Sequence, residues 1–122
     1  MNIVDKLELR DGIASYRPHG PSSLTAAVDL IALAIGRCRD REIGKLLVNA
    51  TGLSGIAVPS LVDRFLAVEE WASAADGVVI VALVAHTEHI DPNRFGVKVA
   101  AHFGLICDVF TAEAEALAWL EL

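Results

Sequence analysis

The sequence predicts one α/β domain spanning residues 1–122, with a mostly parallel central sheet packed by helices in the order ββαβαβαβα. Three observations predict it. Short apolar runs bounded by glycine alternate with longer stretches of helical period, the pattern of strand–helix–strand crossovers. One run, residues 78–84, is apolar throughout, as befits a strand covered on both faces. Hydrophobic residues make up 54% of the chain and charged ones 21%, ample for a core at this length, yet aromatics are 6%, so the core is aliphatic.

Residues 3–9 carry apolar side chains at alternate positions (Ile3, Leu7 and Leu9, broken at Asp5). Asp11-Gly12 is a turn signal and residues 13–17 a second short strand, which together make a β-hairpin. Pro18, Gly20 and Pro21 break the pattern. Ser22 or Ser23 then caps a helix by accepting a backbone N–H bond. Leu24, Val28, Ile31, Ile35 and Cys38 recur along it at helical spacing. It ends among Arg37, Arg39 and Arg41, cations that complement the negative end of the helix dipole.

Gly44 introduces residues 45–49, a buried parallel strand. Residues 50–58 read as a loop of small side chains, and Pro59 stands near the first turn of a second helix. Its expected buried face is Leu61, Phe65, Val68 and Ala72, with Asp63, Arg64, Glu69 and Glu70 in water. After the apolar strand and a loop over residues 85–90, Asp91-Pro92 reads as a cap followed by proline at the first helical position. That third helix places Phe95, Val99 and a packed His102 on one face and ends at Gly104. Residues 105–110 are a further strand. Thr111 caps a last helix, with Glu113 and Glu115 favourable in its first turns and Leu117, Trp119 and Leu120 available for burial.

Net charge is −6 and the basic residues are scattered, which excludes the clustered footprint that nucleic acid requires. Cys38 and Cys107 each sit in an apolar stretch and read as free, small hydrophobes. The opening residues show no charged-then-apolar leader, and the longest apolar run is too short to span a bilayer. A cytoplasmic protein with no membrane span is the expectation.

The richest polar cluster, His86-Thr87-Glu88-His89-Ile90-Asp91, follows the most apolar strand directly. Ligands of parallel α/β sheets gather at the carboxyl ends of strands, where this loop and residues 49–54 both belong. Asn49, Thr51, Ser54, Ser60, His86, Glu88 and His89 are therefore the candidate ligand- or partner-binding residues. The His86/His89 spacing matches no metal motif, so no metal or other cofactor is expected. Gly52-Leu53-Ser54-Gly55-Ile56 misses the Gly-x-Ser-x-Gly elbow, and no Gly-Lys-Ser/Thr follows the glycines, so neither a hydrolase nor a phosphate cradle is expected.

Two stretches carry a family resemblance. One is Leu46-Leu47-Val48-Asn49-Ala50-Thr51-Gly52-Leu53-Ser54 leading into Val58-Pro59-Ser60; the other runs from Val109-Phe110-Thr111 to Ala118-Trp119-Leu120. With the element order, they resemble the STAS domain of anti-sigma factor antagonists, and a small bacterial STAS-like group related to CRAL-TRIO lipid-transfer domains. The antagonist family has a phosphoacceptor serine in an Asp-Ser-Ser-Gly motif. Here that motif falls on Ala57-Val58-Pro59-Ser60, where the Asp is gone and Val58 and Pro59 carry no hydroxyl. The resemblance thus implies the fold and a regulatory or protein-interaction role, without the phosphorylation switch.

The leading expectation is a non-enzymatic module of this type with an unidentified protein partner. A mean hydropathy of +0.50 suggests a homodimer that covers apolar surface. The alternative is a binder of a small apolar or anionic ligand at the carboxyl edge of the sheet.

Overall fold

The computed structural model describes residues 6–122, so the Ile3 end of the expected first strand lies outside it. In chain order, β1 (Leu7–Arg10) and β2 (Ile13–Tyr16) are followed by the short β3 (Gly20–Pro21), then α1 (Leu24–Asp40) and β4 (Lys45–Asn49). Next come a second short strand, β5 (Leu53–Ser54), α2 (Leu61–Ala75), β6 (Ile80–Val84) and a 3-10 turn at Thr87–His89. The chain closes with α3 (Phe95–His102), β7 (Cys107–Phe110) and α4 (Glu113–Leu120).

The hairpin forms where expected: β1 and β2 pair antiparallel across Asp11 and Gly12, at φ 52° and 81°. Two successive positive φ values match the right-handed twist of the strands, and Asp-Gly adopts them at little cost. From β2 the sheet grows in one direction, in the order β1-β2-β4-β6-β7, and every pairing after the hairpin is parallel. Parallel crossovers are right-handed almost without exception, so growth in one direction sends each crossover helix to the same face. Accordingly α1, α2 and α3 cover one face, over Ala14, Tyr16, Leu46, Val48 and Val81. Helix α4 takes the other face, packing on Leu47, Ala82 and Val84.

Ser23 is the cap of α1, its Oγ accepting from Ala26 N at 3.1 Å, and Ile31, Ile35 and Cys38 are buried as expected. Each fully buried side chain such as Ile35, Leu46 or Leu47 contributes about 1.5–3 kcal/mol. Trp71 Nε1 donates to Val28 O at 3.0 Å and Arg39 Nη1 to Ala74 O at 3.1 Å, tying α2 to α1.

Several expectations need correction. Helix α2 buries Ala67, Val68, Trp71 and Ala75, so Leu61 (55% exposed) and Phe65 face outward. Arg64, expected in water, is half-buried on the inner side. Pro92 lies in a turn closed by Arg94 N to Asp91 O, not in α3, although Asp91 Oδ2 still accepts from Phe95 N. His102 is exposed rather than packed. Ala112, not Thr111, occupies the cap position of α4 and supplies no side-chain bond. Of the apolar run at residues 78–84, Val78 is 60% exposed and the strand begins at Ile80.

The loop over residues 50–58 holds an unforeseen feature. Within it β5 pairs in parallel with β3, and Gly20 N donates to Gly52 O. A Cβ at Gly52 would come within 2.9 Å of Pro18 O, so glycine permits this close crossing of two chain segments.

Candidate functional site

Strands β4, β6 and β7 run the same way, so their following loops meet at one edge of the sheet. There the candidate residues separate into distinct sets. Asn49 closes β4, and its Oδ1 accepts from Thr51 N at 3.0 Å and Thr51 Oγ1 at 2.6 Å. Its Nδ2 donates to Glu113 Oε2 at 2.6 Å. Arg17 forks onto the same carboxylate, from Nε at 2.7 Å and Nη2 at 3.0 Å, and lies 3.5 Å from Glu8. The hydrogen bond from Arg17, and then that from Asn49, holds the Glu113 carboxyl below its ordinary range.

The two histidines act differently. His86 Nε2 lies 3.0 Å from Thr51 O, and His89 Nε2 lies 3.0 Å from Ile56 O. A carbonyl only accepts, so each Nε2 carries the proton and donates. Together they fasten the loop after β6 onto the loop after β4. Glu88, between them, is exposed. Ser54 is exposed in β5, and its backbone O accepts from Ser22 N. Ser60 caps α2 in a reciprocal box: its Oγ accepts from Asp63 N, and its N donates to Asp63 Oδ2. That box, led by the Ser60 backbone bond, pulls the Asp63 carboxyl below its ordinary range. Among the described residues no three His, Cys, Asp or Glu side chains converge as metal ligands.

Beneath the fastened loops lies a cavity of about 140 Å³ between α1, α2, α3 and the sheet. It exists because small residues stand where larger ones would fill it: Ala27 on α1, Ala67 on α2, Gly96 on α3, and Ala50 and Ala85 after the strands. Ile31, Val68, Trp71, Leu83 and Val109 make its apolar walls. Cys107 also lines it, and burial pushes that thiol up to about 12. Polar lining residues come from loops and first helical turns: Asp63, Arg64, His89, Asp91 and Arg94. Arg64 Nη1 donates to His89 O at 2.8 Å, while Arg94 pairs with Asp108.

Asn49, Thr51, His86 and His89 are thus brought to one edge, whereas Ser60 serves α2 and Ser54 meets neither histidine through a hydrogen bond. Arg17, Glu113 and Arg64 escaped the sequence reading. For Arg64 a signal was present, since it stands three and four positions before Ala67 and Val68 and so shares their face. Among the described residues no helix is long and apolar enough to cross a membrane. No known family model matches the chain, and no curated protein matches it.

Proposed function

We propose that the protein binds a small apolar molecule in the cavity beneath the carboxyl-edge loops and catalyses no reaction. The cavity carries this reading: its walls come from three helices and three strands, and its roof is pinned by His86 and His89. An apolar recess with a few polar groups at one end is the usual form of a small-molecule site. Each 100 Å² of apolar ligand surface removed from water would contribute about 2.5 kcal/mol to binding. We include STAS-like kinship in the proposal, supported by the element order and the Ala118-Trp119-Leu120 ending. With Val58 and Pro59 at the phosphoacceptor positions, occupancy of the cavity replaces phosphorylation as the proposed input to a cytoplasmic regulatory module.

Trp71 lines the cavity, while Trp119 packs against Phe110 on the opposite face. In a Trp119→Phe variant, emission from Trp71 reports occupancy. Titration with decanol should give a saturable change in that emission and a rise in melting temperature. If neither appears, the reading is wrong.

A second reading, self-association, is favoured by the exposed apolar face of α2, where Leu61, Val62 and Leu66 stand in water beside Val58. The two readings are compatible, because that face points away from the cavity.

A further inference from the structure

We infer that the molecule held in the cavity carries a carboxylate and that Arg64 receives it; the inference rests on the cavity-binding reading above. Of the polar groups lining the cavity, all but one are already matched. Asp63 accepts from Ser60 N at 2.9 Å, and Asp91 accepts from Asn93 N at 3.1 Å and Phe95 N at 3.0 Å. Both carboxylates thereby cap helix starts, where negative charge is favoured. Arg94 has its counter-charge in Asp108. His89 donates its ring N–H to Ile56 O.

Arg64 is the exception. Its one hydrogen bond, Nη1 to His89 O, goes to a neutral carbonyl, and no carboxylate of the described residues lies within ion-pair distance. Four of the five guanidinium N–H donors are therefore left for another partner. No buried side-chain nitrogen or oxygen of the described residues lacks a partner, so these donors are open to solvent, and a carboxylate matches their planar fork with two parallel bonds. The side chain is also aimed. It rises from the inner stripe of α2, below Ala67 and Val68, and the His89 bond fixes its direction. One unpaired cation, with Asp63 and Asp91 close by, suits a monoanion better than the doubly charged head of a phosphate monoester. An apolar tail would then run from Arg64 along Trp71, Leu83 and Val109.

Decanoate, methyl decanoate, decanol and decyl phosphate, each below its micelle concentration, would be titrated at neutral pH into wild type, Arg64→Gln and Arg64→Lys. In wild type, decanoate should bind about tenfold or more tightly than methyl decanoate and decanol. Arg64→Gln should erase that advantage, and Arg64→Lys should retain part of it. Circular dichroism and melting curves verify that the variants are folded. Equal affinity for decanoate and decanol in wild type overturns the inference while leaving the cavity reading intact. So does an advantage that survives in Arg64→Gln, and tighter binding of decyl phosphate than of decanoate overturns the carboxylate assignment. If none of the four ligands binds folded wild type, the cavity reading fails and takes the inference with it.

Discussion

Glu113 joins three parts of the chain through one carboxylate: Arg17 after β2, Asn49 at the end of β4, and the first residue of α4 itself. Because Ala112 gives α4 no side-chain cap, these bonds are what anchor the start of that helix to the sheet edge. The Glu113 pKa is depressed in the folded state, so its contribution is complete above the unfolded glutamate value of about 4.3 and is lost as pH falls through the lower folded value. Glu113→Gln should cost about 1 kcal/mol at neutral pH, a figure discounted because the Arg17 side chain is 42% exposed. The difference from wild type should shrink toward zero at an acid pH below the depressed folded value. Urea unfolding at both pH values checks this, and a pH-independent cost would mean that shape rather than charge matters at Glu113. The sequence pointed to Asn49 and Thr51 because they sit together after an apolar strand. It could not point to Arg17 and Glu113, which meet across a separation of 96 positions with no local pattern to report the contact.

At the scale of elements, α2 is the instructive case. Its first half is apolar nearly all round, with Leu61, Val62, Phe65, Leu66, Ala67 and Val68 in eight positions. Periodicity locates such a helix but cannot choose between two apolar stripes. The larger side chains suggested one; the structure buries the other, because Ala67 and Ala75 let α1 and α3 approach closely where Leu61 and Phe65 would hold them apart. Of the expected stripe Val68 is buried while Leu61 and Phe65 stay outside, Phe65 meeting Phe103 edge to face at 5.5 Å; Val62 beside them is 67% exposed. On the proposed self-association reading this face is the interface. Light scattering should therefore show wild type as a dimer at high concentration. The combined Leu61→Ser, Val62→Ser, Leu66→Ser variant should be monomeric, with folding stability within about 0.5 kcal/mol of wild type. A strictly monomeric wild type would dispose of self-association. A variant that loses far more stability would show that these side chains pack within the monomer.

Across the whole molecule, the alternation of strands and helices was legible because each element needs only its own period; given a sheet that grows in one direction, crossover handedness puts α1, α2 and α3 on one face. The cavity was not legible. It is a shortfall of volume summed over Ala27, Ala50, Ala67, Ala85 and Gly96, five small residues from separate segments. Each alone reads as unremarkable helix or loop. Gly96 offers the most direct test of whether that shortfall is functional. It stands at the second position of α3, where glycine is a poor helix former, and it is not held at positive φ. A Cβ there would meet Val68 Cγ2 at 3.8 Å, an ordinary contact. Gly96→Ala should therefore stabilise the fold by about 0.5–1 kcal/mol, raising the melting temperature by roughly 2–4 °C. The same methyl group enters the seam between α2 and α3, so decanol and decanoate should both bind more weakly to it than to wild type. Gain of stability with loss of affinity would identify the space as a site maintained at the expense of packing. Gain of stability with affinity unchanged would mean that the ligand does not reach the α2–α3 seam, and the path assigned to its tail would be wrong.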